Sequence, residues 1–180
     1  MGFCKSVLKL FGWRVICSVP DYPKSIVCVA PHTSNWDFLL GGFAYWSLGR
    51  KAGFLMKESW FFFPMKYLFR ALGGIPVSRK RGGPSLTDII IRKFNESSRL
   101  CLAIAPEGTR SRVTEWHTGF LHIAYEAKIP VVLGAIDAER KLVHLEKTFT
   151  PTGDIQADMR AVKEYYRGFQ GIRSDKFSAE

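Results

Sequence analysis

Short apolar runs rich in β-branched residues recur along this chain, separated by longer stretches in which apolar residues return at helical spacing. Ile26-Val27-Cys28-Val29-Ala30 is the clearest run: five uncharged residues, too few for a helix, with branched side chains that suit a buried strand. Residues 52–56, 100–105 and 131–136 read as further strands, 75–77 as a brief extended segment, and 142–145 as an edge strand. Helices are predicted over 36–48, 60–72, 84–98, 118–128 and 158–169, with Gly73-Gly74 closing the second and Pro84 opening the third. Residues 3–17 set Val7, Leu8, Leu10, Phe11, Val15 and Ile16 among Lys5, Lys9 and Arg14, which predicts a short amphipathic helix within an N-terminal segment 1–20. Strands alternating with helices predict an α/β fold: a single layered domain over 1–180, its central mostly parallel sheet flanked by helices. A length of 180 residues suits one such core.

Charge and composition narrow the partners. Lys and Arg number 26 against 16 Asp and Glu, a net charge of +10, and 14% of residues are aromatic. A basic, aromatic-rich chain fits nucleic acid or an anionic membrane surface. The longest uncharged apolar stretch, 38–49, has 12 residues and three glycines, short of the ~18 a spanning helix needs. The start of the chain lacks the small-residue cleavage pattern of a signal peptide, so a peripheral protein on the cytoplasmic face of a membrane is expected. Met1-Gly2-Phe3-Cys4-Lys5-Ser6 matches the short N-myristoylation pattern, which arises easily by chance. Cys4, Cys17, Cys28 and Cys101 have no metal-site spacing and read as free thiols in a reducing compartment. His117, His122 and His144 are scattered, so no metal is expected, and His122, on an apolar helix, reads as structural.

The chemistry concentrates in Pro31-His32-Thr33-Ser34-Asn35-Trp36-Asp37, directly after the first buried run. Residues five apart lie ~140° around a regular helix, so His32 and Asp37 meet only if His32 occupies the strand-to-helix turn and Asp37 the first helical turn. Pro31 disfavours helix at Ala30, and Ser34 or Asn35 can cap, which supports that arrangement. Asp37 then either fixes the tautomer of a histidine base or completes a capping box with Ser34. A second polar segment, Pro106-Glu107-Gly108-Thr109-Arg110-Ser111, follows another buried run and emerges at the same sheet edge, where open α/β sheets carry their sites. Its guanidinium, hydroxyls and backbone N–H groups suit a phosphate. Arg79, ending Gly74-Ile75-Pro76-Val77-Ser78-Arg79, adds a second cation.

These segments, in this order, resemble the glycerolipid acyltransferases. His32 to Asp37 is similar to that family's His-x4-Asp motif, Gly74 to Arg79 to its second block, Glu107 to Ser111 with Pro106 to its third, and Ile129-Pro130-Val131-Val132 to its fourth. The resemblance implies a glycerol-3-phosphate acyltransferase-like fold and transfer of a fatty acyl group from acyl-CoA or acyl carrier protein to lysophosphatidic acid, giving phosphatidic acid. It implies that His32 is the base and Asp37 its orienting partner, and that Arg79, Glu107, Gly108, Thr109, Arg110 and Ser111 bind substrate. No cofactor is implied beyond the acyl donor. The expected partners are a lysophospholipid acceptor, that donor and an anionic membrane surface, not nucleic acid. Trp60-Phe61-Phe62-Phe63-Pro64-Met65 is read first as core and part of an acyl tunnel, and second as a membrane-inserting segment. Ala105, Pro76 and Trp36 depart from the commonest family pattern. They leave open another acceptor with the same chemistry, such as a lyso-aminolipid. A non-catalytic module binding nucleic acid through the basic surface is the third reading.

Overall fold

A computed structural model describes residues 2–77 and 84–179. Strand β2 (Lys24–Ala30) lies beside β6 (Val131–Asp137) near the middle of a seven-stranded sheet. On one side of β2 follow β5 (Leu100–Ile104), β3 (Gly53–Lys57) and β4 (Gly74–Val77). Beyond β6 lie β7 (Leu142–Phe149) and the edge strand β1 (Arg14–Cys17). Every pairing is parallel except β6–β7, whose short connection through Lys141, at φ 50, can join only antiparallel neighbours.

The alternation of side chains along each strand sorts the two layers. Ile26, Cys28 and Ala30 join Leu102, Leu133 and Val131 under α4 (Leu86–Glu96), α5 (Gly119–Glu126) and α6 (Ile155–Tyr166). Val27 and Val29 face the opposite side, with α1 (Gly2–Leu10) and α2 (Asn35–Ser47). The sheet is thus buried on both faces, as its uncharged β2 and β6 demand. The expected mostly parallel α/β layering is therefore observed.

Four expectations are corrected. The N-terminal helix stops at Leu10; Gly12 turns the chain at φ +77, and the β-branched Val15 and Ile16 enter an edge strand. That strand covers the segment at 142–145, which is not an edge but the start of the eight-residue β7. The predicted helix at 60–72 begins only at Met65: α3 (Met65–Ala71) follows a 3-10 turn, Glu58–Trp60, because Pro64 has no N–H to extend a helix upstream. Trp60, Phe62 and Phe63 are 56%, 56% and 75% exposed, so their segment is not core. Among the described residues no helix is long and apolar enough to cross a membrane. His122 is exposed on α5.

One buried hydroxyl ties the two layers to the end of β2. Tyr166, fully buried on α6, donates its phenolic O–H to the Cys28 carbonyl at 2.7 Å, with the Gly134 carbonyl at 3.4 Å. This anchors β2 and β6 to α6 a few residues before His32. Tyr166→Phe keeps the packing and removes that donor. Thermal unfolding should then fall by about 2–4 °C, for a loss of about 1 kcal/mol.

Candidate active site

The turn after β2 is built by two carboxylates. Asp37, fully buried in the first turn of α2, accepts the Thr33 N–H at 2.5 Å and the Ser34 N–H at 2.6 Å, both on Oδ2. The Thr33 hydroxyl reaches the same oxygen at 3.3 Å. Ser34 is the N-cap, and its Oγ accepts the Trp36 N–H at 3.1 Å. The capping box allowed by the sequence therefore forms. It uses only Oδ2; Oδ1 is buried with no hydrogen-bond partner among the described residues. No hydrogen bond joins the His32 imidazole to Asp37 in this structure, yet the two are close enough for the carboxylate to raise the imidazole's proton affinity.

Glu107 supplies the second carboxylate. It is 5% exposed, and its Oε2 and Oε1 lie 2.9 and 3.1 Å from the His32 backbone nitrogen, which donates to both. Burial pushes the Glu107 carboxyl up to about 7, against the lowering effect of that hydrogen bond and with a further rise from Asp37. Glu107 does not line either cavity at the site; its carboxylate faces the His32 main chain. The next residue, Gly108, has φ +64, and a Cβ there would fall 2.4 Å from His117 Cδ2, so a side chain would strain the backbone and displace His117. Its N–H is bound to the Ala105 carbonyl at 3.2 Å.

His32 is half-buried. Burial lowers its pKa below the ordinary 6.5; Asp37 opposes this and Arg110 adds to it. The imidazole is thus held neutral at neutral pH, the state a general base requires.

Two cavities meet at His32. One, about 760 Å³, is polar and lined by Ser34, Thr109, Arg110, Ser111, Arg173 and Lys176, among others. The second, about 1680 Å³, runs between α2 and the sheet and is walled by side chains such as Phe38, Phe43, Tyr45, Phe54, Met56 and Val29. His32, Asn35, Ala105, Gly108 and Arg110 line both. The fold therefore brings His32, Gly108, Thr109, Arg110 and Ser111 together, with Asp37 and Glu107 immediately behind. Arg79 lies outside the described residues. Arg173 and Lys176, from the end of the chain, were not singled out in the sequence because isolated cations near a terminus look like any solvated charge. Among the described residues no group of His, Cys, Asp and Glu is placed to hold a metal ion.

Replacing Glu107 should separate clamp from charge. Glu107→Leu strands the His32 N–H and should cost about 1–3 kcal/mol in chemical denaturation. Glu107→Gln still offers a carbonyl oxygen and should lose less than half as much.

A family model described as "Acyltransferase" matches residues 18–136, which include His32, Asp37 and all four segments singled out in the sequence. No curated protein sequence matches the chain. Among solved structures, the fold is similar to the 1-acyl-sn-glycerophosphate (LPA) acyltransferase PlsC from Thermotoga maritima, at a TM-score of 0.59 and 19% identity, over 93% of this chain and 75% of that one. At that identity the likeness bears on the fold, while the family match spans more than half of the chain and carries the chemistry class. The resemblance read from the four ordered segments is thereby borne out, and the chain belongs to the acyltransferase family.

Proposed function

We propose that the chain is an O-acyltransferase that moves a fatty acyl group from an acyl thioester, acyl-CoA or acyl carrier protein, to the hydroxyl of lysophosphatidic acid, giving phosphatidic acid. One observation carries this reading: His32 stands where a cationic, hydroxyl-lined cavity meets a long apolar one. A substrate with an anionic head and an apolar tail can occupy both while presenting its reacting atoms to the imidazole. A nucleic-acid groove needs no such apolar chamber.

In this mechanism neutral His32 takes the proton of the acceptor hydroxyl as the oxygen attacks the thioester carbonyl. The tetrahedral oxyanion collapses, the C–S bond breaks, and the electron pair leaves on sulfur. The imidazolium returns the proton to the thiolate. A thiolate is already a good leaving group, so no cofactor is required beyond the donor itself. Asp37 Oδ1, buried and unpartnered, is available to accept the Nδ1–H of His32 as the imidazole becomes cationic. Arg79 and Arg110 attract the acceptor phosphate, with Thr109 and Ser111 adding hydroxyls and Gly108 admitting close approach. The apolar cavity receives an acyl chain.

The same reading places the enzyme against an anionic membrane, where its acceptor resides. Exposed Trp60, Phe62, Phe63, Tyr67 and Leu68 share one stretch with Lys66 and Arg70, and Phe3, Leu10 and Phe11 are exposed around α1. Aromatics beside cations suit the interface between headgroups and hydrocarbon.

His32→Ala should lower acyl transfer by about 10²–10⁴-fold with the circular dichroism spectrum unchanged; full turnover in that variant would end the proposal. In the parent enzyme kcat/KM should fall as the pH drops below 6.5 and His32 gains its proton, the lowered pKa placing the midpoint on the acid side. Glu107→Gln, which removes the neighbouring titration, should keep that acid limb.

A further inference from the structure

The last residues of the described chain fold back onto the site instead of leaving it. Gly171 packs so closely on the turn that a Cβ would lie 2.8 Å from Thr33 Cγ2 and 2.9 Å from Pro31 Cβ. The Arg173 N–H donates to Thr33 Oγ1 at 3.1 Å, the hydroxyl that also reaches Asp37. Farther along, Lys176 N–H donates to the Arg173 carbonyl at 3.0 Å in a 3-10 turn, and the buried Trp116 indole donates to the Ser178 carbonyl at 3.3 Å. Upstream, the Ala138 N–H donates to the Gln170 carbonyl at 2.8 Å. The tail is thus fixed at both ends, and it lies wholly outside the residues matched by the family.

This anchoring places Arg173 and Lys176 on the wall of the polar cavity, which they share with Arg110 and His32. No Asp or Glu lines that cavity, and none of the three cations forms an ion pair among the described residues. Like charges held around one space repel one another unless an anion lies between them. A single monoanionic phosphodiester would leave much of that charge uncompensated. A phosphate monoester, at about −1.5 to −2 near neutral pH, matches it better and offers several acceptor oxygens for charge-assisted bonds.

We infer that the C-terminal tail is part of the acceptor site: Arg173 and Lys176, with Arg110, form a cationic pocket that selects a phosphate monoester head group on the acceptor. This rests on the acyl-transfer reading above and adds two cations, from outside the family segments, to the phosphate site. The tail cations act on the head group, and the main-chain contact of Arg173 with Thr33 couples their position to the turn that carries His32.

The test is a double variant, Arg173→Gln with Lys176→Gln, which keeps the side-chain stems and the main-chain anchors. Turnover is measured with lysophosphatidic acid and with a lysophospholipid whose head group is a zwitterionic phosphodiester. The KM for lysophosphatidic acid should rise at least tenfold, the preference over the diester should shrink accordingly, and the KM for the acyl thioester should not move. Arg173→Lys should restore most of the loss, which a purely structural role would not explain. An unchanged preference, or a rise confined to the acyl-donor KM, overturns the inference; the second result would assign the pocket to the donor's own phosphate. Calorimetric binding of glycerol 3-phosphate keeps the two readings apart. If the parent protein transfers no acyl group yet binds glycerol 3-phosphate at least tenfold more tightly than the double variant, the tail pocket stands and the acyl-transfer reading fails. Equal affinity in both proteins overturns the tail pocket whatever the turnover.

Discussion

Three consecutive backbone N–H groups, those of His32, Thr33 and Ser34, leave the end of β2 with no strand or helix to receive them, and two buried carboxylates bind all three. The site depends on this. Buried N–H groups without acceptors are rare because each costs as much as a lost hydrogen bond. Buried carboxylates are costly for the same reason of lost hydration, and Glu107 shows it in a carboxyl pushed up to about 7. Each liability offsets the other. The turn is thereby tied down at three consecutive N–H groups, and the group it holds out, His32, sits beside negative charge where two cavities meet.

His32 is shaped by opposing influences of unequal size. Burial, the largest, disfavours the imidazolium, and Arg110 works the same way, while Asp37 favours it. The balance favours the neutral imidazole. In the proposed mechanism the base must also hold the proton it takes, and the nearby Asp37 charge favours that protonated state without a resting hydrogen bond to the ring. Its Oδ2 is committed to the turn, and its Oδ1 is free. Capping and the proposed orienting role, which read as competitors in the sequence, call on different oxygens of one carboxylate: the cap uses Oδ2 and leaves Oδ1 for the imidazole.

Much of the layering was legible in the sequence because burial on both sheet faces writes uncharged, β-branched runs, as at 26–30 and 131–136. The pairing of His32 with the Glu107 loop was also legible, since both segments follow such runs and must emerge at one sheet edge. What escaped had weaker local signals. β1 hid inside an amphipathic pattern that a helix and a short strand share, and only Gly12 marks the break. The apolar run at 60–72 reads as one continuous helix, and the missing N–H of Pro64 forbids its first turns. Glu107 was readable as a functional residue, but its direction was not; that it faces the His32 main chain follows from tertiary packing alone. Arg173 and Lys176 carry no motif, and their place at the site depends on a tail whose anchors, Thr33 and Trp116, lie far away in sequence.

The central claim is that the turn presents His32 as a neutral base whose proton affinity is sustained by Asp37. Its most direct test is the titration of the His32 imidazole by NMR in the parent protein and in Asp37→Asn. The account predicts a pKa below 6.5 in the parent, from burial, and a lower one still in the variant, where the favourable charge is gone and burial remains. A His32 that titrates at or above 6.5 in the parent, or that is unmoved by loss of the Asp37 charge, would contradict it.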